Sequence, residues 1–254
     1  RHSPKNYSGG YSGWMTMAVA LAKSVNTIAI KLSFEVGREN VLANIVKLGI
    51  TGPITKTCTM AIGDGGISLL QHTSGFAHFA NGGKSIRPYA ILEITSTTGE
   101  LIYSHERDVP PLEQAFDPDV IANLNSMLGS VVTGGTGTRA ALDFTAVGGK
   151  TGTSSSWKDA WFLGFTGKLV TGIWVGNDDF TPMSNVTGGV IVAPAWKTFM
   201  TAALSGVSPG EIADIPVDGR LVDLEYKSPL AREQARQDAQ NAMLWLDALR
   251  VLGP

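Results

Sequence analysis

Two short groups of residues in this 254-residue sequence have the types and spacing to do acid–base and carboxylate chemistry. The first is Lys150-Thr151-Gly152-Thr153, inside Gly148-Gly149-Lys150-Thr151-Gly152-Thr153. A cation and two hydroxyls on one strand suit a carboxylate, and glycine lets a ligand backbone come close. The second is Ser24-Val25-Asn26, a hydroxyl and an amide two positions apart. Lys-Thr-Gly arises by chance in about 6% of chains this size, and Ser-x-Asn roughly once per chain. The pair therefore gains its meaning from placement rather than from either motif alone. Ser24 and Asn26 also suit plain helix capping, and Lys150 also suits an exposed strand.

The elements around them give that placement. Ala160–Thr166 and Leu169–Val175 are short runs rich in aromatic or β-branched residues, joined by Thr166-Gly167-Lys168. They predict two antiparallel strands after a strand that carries Lys150, Thr151 and Gly152. Trp157 falls at the turn between the first strand and the second, beside the expected cleft; the other aromatics of this region read as core. Upstream, Thr16–Lys23 predicts a short helix. A second helix starts at an Asn26 or Thr27 cap and runs to Gly37, and a third spans Arg38–Leu48. Ser24-Val25-Asn26 thus sits on a joint between helices, where side chains leave the core and face a groove.

Between the two groups, Ser68 caps a helix to about Ala80. Arg87–Ser96 and Glu100–Tyr103 form a hairpin about Thr98-Gly99, and Asp117-Pro118 opens an amphipathic helix. Gly134-Gly135-Thr136-Gly137-Thr138-Arg139 is a glycine-rich loop before the Lys150 strand. It lacks the Gly-Lys-Ser/Thr of a phosphate cradle and does not follow a strand. Past the strands, Val190–Leu204 predicts a closing helix. Residues 205–228 read as a linker and 229–254 as an amphipathic tail helix with an alanine stripe, leaving 1–204 as the main domain.

Bulk properties narrow the function. The net charge is −2 and the pI about 6.1, which argues against a nucleic-acid partner. No apolar run reaches the length of a membrane-spanning helix. Cys58 is the only cysteine, so no internal disulfide is possible. His2, His72, His78 and His105 lack metal-ligand spacing, and neither a metal nor another cofactor is expected. The opening Arg1-His2-Ser3-Pro4 reads as the interior of a longer precursor.

A Lys-Thr-Gly strand beside a serine site is one signature of the penicillin-recognising serine enzymes. Their nucleophile lies in Ser-x-x-Lys at a helix start, with the lysine one turn on. The sole match in this sequence is Ser155-Ser156-Trp157-Lys158. It falls in the turn after the Lys150 strand, where no helix fits, and is rejected as the nucleophile.

The order of further segments resembles the transpeptidase domain of class A penicillin-binding proteins. These segments are Pro4-Lys5-Asn6-Tyr7, Leu21-Ala22-Lys23-Ser24-Val25-Asn26-Thr27, Phe79-Ala80-Asn81-Gly82-Gly83 and Thr136-Gly137-Thr138-Arg139-Ala140-Ala141. They continue through Gly148–Thr153, Trp157–Thr166 and Thr171–Asp179. The resemblance covers about residues 4–204. It implies an α+β fold, a five-stranded antiparallel sheet between helical layers, incomplete in this chain. It implies peptidoglycan cross-linking through a serine acyl-enzyme on D-Ala-D-Ala stem peptides, with β-lactams as mimics. Residue by residue, it implies Ser24, Asn26 and Lys150 as catalytic groups. Ser24 relays protons, Asn26 bonds the substrate amide carbonyl, and Lys150 supplies positive field. It implies Thr151, Gly152, Thr153 and Trp157 as substrate-binding, with the Thr153 N–H as half of an oxyanion hole.

The resemblance also implies an upstream partner segment that carries Ser-x-x-Lys, and a glycosyltransferase domain before it. The expected location is the outer, periplasmic face of the bacterial cytoplasmic membrane, anchored through that upstream part. This chain alone is expected to be inactive. Two other readings stand beside it. A serine β-lactamase shares the fold, but no Glu-x-x-x-Asn pattern lies between Ser24 and Lys150. An inert module that binds stem peptides is motivated by the absent nucleophile.

Overall fold

The computed structural model describes residues 5–212, apart from 8, 12, 53 and 55, together with residue 215. The expected tail helix and most of the expected linker lie outside the described residues.

Three short helices open the chain: α1 (Met17–Ala22), α2 (Asn26–Glu35) and α3 (Arg38–Lys47). The Thr16 hydroxyl starts α1 by accepting the Val19 N–H at 3.3 Å. α2 departs from the expected capping. Val25 is the cap residue and gives no side-chain bond. The reason is that Asn26 and Thr27 are engaged by the opening loop. Asn26 donates to the Lys5 carbonyl at 3.1 Å, and both the Thr27 N–H and its hydroxyl donate to Asn6 Oδ1 at 3.1 Å.

α4 (Leu69–Ala80) is capped by Ser68, whose hydroxyl accepts the Gln71 N–H. The hairpin is shorter than its sequence pattern, with β1 (Glu93–Thr95) paired to β2 (Leu101–Ser104) and a register shift at Ile94/Thr95. A single turn, α5 (His105–Asp108), follows. α6 (Pro118–Gly134) begins as its Asp-Pro signal predicts, with the Asp117 carboxylate accepting from Asp119 and Val120. Its inward stripe includes Ile121, Leu128, Val131 and Val132.

β3 (Gly148–Thr153), β4 (Asp159–Phe165) and β5 (Val170–Gly176) form one antiparallel sheet in that order. The resemblance implied five strands. The described residues hold these three, and β1–β2 is a separate two-stranded sheet. Lys150 pairs with Leu163 and Thr151 with Phe162, so alternate residues address opposite faces. The Phe162 face is covered by α7 (Ala193–Ala203), whose buried Trp196 packs edge-on to Phe162 at 5.2 Å. The closing α-helix begins three residues later than its pattern, because Gly188–Val192 first forms a π-type turn that leads into α7. On the other face Phe165 and Leu128 share a core with Ile212 and Ile215. The segment after α7 is thus packed at these two isoleucines rather than running free as a linker.

Candidate active site

Ser24 owes its direction to the way α1 ends. The Ser24 N–H bonds to the Leu21 carbonyl at 3.1 Å and the Val25 N–H to the Ala20 carbonyl at 2.9 Å. This pair of bonds is a Schellman stop, which places Ser24 where glycine is usual. Its φ of 55° is left-handed, at a cost of about 1 kcal/mol for a residue with a side chain. The distortion turns the hydroxyl out of the helix axis and toward β3.

There it meets Lys150. The Lys150 Nζ donates to Ser24 Oγ at 2.8 Å and to the Thr151 carbonyl at 2.9 Å. The two residues are 126 positions apart in sequence, so the bond is a product of the fold. Lys150 is half-buried, and desolvation by burial lowers its pKa from 10.5 to about 8. Desolvation disfavours the ammonium, which makes its proton easier to release near neutral pH.

The rest of the strand is arranged along the same edge. The Ser154 N–H bonds to the Asp159 carbonyl of the β3–β4 turn at 2.9 Å. By the two-residue alternation of a strand, the Thr153 N–H faces the opposite edge, as does the Thr151 carbonyl that Lys150 bonds. The Thr153 hydroxyl accepts the Gly188 N–H at 3.1 Å and keeps its own proton to donate. The Thr151 hydroxyl lies 2.6 Å from the Thr136 hydroxyl. Gly188 is needed here because a Cβ would come within 2.3 Å of the Trp161 carbonyl and 2.5 Å of the Gly152 carbonyl.

The structure therefore brings Ser24 and Lys150 into contact, and Thr151, Gly152 and Thr153 follow on the same strand. Asn26 starts α2 two residues past Ser24. One of its amide protons is used on the Lys5 carbonyl, leaving a second donor and its oxygen. Trp157 lies in the turn after β3 with a left-handed φ of 55°, held through its carbonyl, which accepts the Met183 N–H. Ser155 and Lys158 are both exposed in that turn, and β4 starts at Asp159, so the rejected Ser-x-x-Lys indeed lacks an α-helix. Sequence reasoning gave no role to Asn6 or Thr136. The only early signal for either was membership in a resembling segment.

Comparison with known proteins shows the family and the fold. Residues 2–179 match the penicillin binding protein transpeptidase domain. The chain belongs to that family. It is 33% identical over 225 residues to penicillin-binding protein 1A of Aquifex aeolicus, covering 88% of this chain and 30% of that protein. Penicillin-binding protein 1A of Neisseria meningitidis is also 33% identical, over 213 residues. The chain thus spans 26–30% of the length of these curated relatives. Among solved structures, penicillin-binding protein 1A of Haemophilus influenzae superposes with a TM-score of 0.72 at 27% identity, over 88% of this chain and 38% of that one. PonA1 of Mycobacterium tuberculosis in complex with penicillin V gives 0.73 at 20% identity, over 84% of this chain and 65% of that one, a likeness of fold. The chain carries the penicillin-binding protein transpeptidase fold, with three strands of its sheet among the described residues.

Proposed function

We propose that this chain is the C-terminal part of a peptidoglycan D,D-transpeptidase. The complete protein attacks the D-Ala-D-Ala bond of a stem peptide with a serine, releases D-Ala, and passes the acyl group to an amine of a neighbouring stem. β-Lactams acylate the same serine. The nucleophile is carried by a Ser-x-x-Lys segment upstream of residue 1, in a class A protein with a glycosyltransferase domain. That protein is anchored at the outer face of the cytoplasmic membrane, and residues 1–254 alone are inactive. The observation that carries the reading is the 2.8 Å bond between Lys150 Nζ and Ser24 Oγ, across 126 positions of sequence.

The roles follow from donors and acceptors. Ser24 accepts from the Lys150 ammonium, so its own hydroxyl proton is free to donate. The attacking serine's proton passes to the lysine of its own Ser-x-x-Lys; as the peptide bond breaks, Ser24 gives its proton to the departing amine and recovers one from Lys150. The lowered Lys150 pKa, about 8, makes this return proton available. The carboxylate of the stem peptide or β-lactam is bound by the Thr151 and Thr153 hydroxyls within the positive field of Lys150. Gly152 admits the ligand backbone, Asn26 binds its amide carbonyl, and Trp157 borders the cleft. The Thr153 N–H, facing the open edge of β3, stabilises the oxyanion.

The test is fluorescent penicillin with the complete protein, followed by a denaturing gel and mass spectrometry of the labelled peptide. The label is expected on a serine upstream of residue 1, with no label on residues 1–254 expressed alone. A covalent label on any residue of this chain defeats the assignment of the nucleophile.

A further inference from the structure

Thr136 stands in the glycine-rich loop to which the reading above assigns no task. Three parts of the site converge on it. Its N–H donates to the Ala22 carbonyl at 3.0 Å, two residues before Ser24. Its hydroxyl lies 2.6 Å from the Thr151 hydroxyl on β3. Its carbonyl lies against Gly189 of the π-type turn, where a Cβ would come within 2.4 Å. The loop has no slack at this point. A Cβ at Gly135 would fall 2.3 Å from the Ala22 carbonyl, and the Gly137 N–H is tied to the Val131 carbonyl at 2.9 Å. Thr136 itself is exposed, so its hydroxyl sits at the lip of the site rather than in the core.

We propose that Thr136 is a positioning residue that sets the direction of the Thr151 hydroxyl and so determines affinity for the ligand carboxylate. This rests on the transpeptidase reading. Each threonine hydroxyl has one proton to donate. In a pair 2.6 Å apart, only one hydroxyl donates to the other. If Thr151 donates to Thr136, it has no proton left for a carboxylate. If Thr136 donates to Thr151, the Thr151 proton is free to point at the ligand. An arriving carboxylate selects the second arrangement, because a charged acceptor binds the proton more strongly than a neutral one. Thr136 then polarises Thr151 as it donates. Its backbone bond to Ala22 keeps the elbow of Ser24 in register with the same strand.

The experiment uses the complete protein with two variants, Thr136→Val and Thr136→Ser, and two probes, a penicillin and its methyl ester at the ring carboxylate. Acylation is followed by mass spectrometry over a range of probe concentrations, to separate binding from the chemical step. Valine keeps the shape and the backbone N–H but removes the hydroxyl. Thr136→Val is expected to weaken binding of the free-acid penicillin about fivefold, the size of one neutral hydrogen bond, since the bond it removes is the one between the two hydroxyls. Its acylation step, its reaction with the ester and its melting midpoint stay within about twofold or a few degrees of wild type. Thr136→Ser restores free-acid binding. Equal losses with acid and ester, with or without a fall in melting midpoint, would mean a structural role and overturn the proposal. So would an unchanged response to the acid. Wild-type protein that takes up neither probe would instead remove the transpeptidase reading, and this proposal with it.

Discussion

Lys150 projects from a strand paired to β4 at six successive positions, whereas Ser24 hangs on an elbow between helices of six and ten residues. The strand side is regular, and turns and helices press on it. α7 packs behind Phe162, and the π-type turn lies directly on the Gly152 backbone. The elbow side is irregular. Its serine holds a left-handed φ, and the side chains of its neighbours Asn26 and Thr27 bond to the opening loop. The difference shows how the site divides its labour. One side fixes a cation by rigid packing, and the other aims a hydroxyl through local backbone distortion. Substitutions on the two sides should therefore differ in kind.

The largest effect is expected at the brace of the strand. Gly188→Ala puts a methyl group within 2.3 Å and 2.5 Å of two backbone oxygens, neither of which can rotate away. Relief requires the π-type turn to lift from β3, breaking the Gly188–Thr153 bond. A loss of about 3 kcal/mol or more is expected, from the tail reserved for backbone collisions. Denaturant unfolding of the complete protein measures it. A loss under about 1 kcal/mol would mean that the strand side is softer than its packing implies.

Next comes the cost of the buried cation. The folded Lys150 releases its proton near pH 8, whereas the unfolded chain holds it to about 10.5. Between these values the unfolded state binds more protons, so stability rises with pH across that window. The rise expected from Lys150 is about 3 kcal/mol, present in wild type and absent from Lys150→Met. The difference in unfolding free energy between the two proteins, followed from pH 7 to 11, checks both sign and size. Over the same window wild-type acylation by penicillin should fall, as the ammonium that feeds Ser24 disappears. A flat difference would place the Lys150 amine in water.

How much of this was legible in the sequence tracks the same division. β3, β4 and β5 were readable within a residue or two, because their aromatic and β-branched runs end at Thr166-Gly167-Lys168 and at the Ser154–Trp157 turn. Ser68 and Asp117-Pro118 announced α4 and α6, since each cap acts over three residues. The elbow was readable as a joint but not in its detail. A serine in the left-handed position has no pattern that separates it from a serine cap. Asn26 was expected at a helix cap and instead reaches the Lys5 carbonyl, because the opening loop has no periodicity from which its path follows. Thr136 and Thr151 lie 15 positions apart, and nothing local announces that their hydroxyls meet.

The smallest effect sharpens the comparison most, because it runs against the usual link between stability and function. Ser24 combines two terms of opposite sign. The left-handed φ costs about 1 kcal/mol, and the bond to the Lys150 ammonium returns about 2 kcal/mol. Ser24→Ala removes the bond and keeps the strain. Ser24→Gly removes both. Glycine, although more flexible when unfolded, should therefore be more stable than alanine here by about 1 kcal/mol and less stable than wild type by about 1 kcal/mol. Both variants should lose acylation by penicillin to the same extent, since neither can pass a proton. Melting midpoints and labelling rates of the two variants, side by side, decide the matter. If alanine equals glycine in stability, the elbow does not hold Ser24 in strain. If glycine retains labelling, the aimed hydroxyl is not what the strained turn maintains.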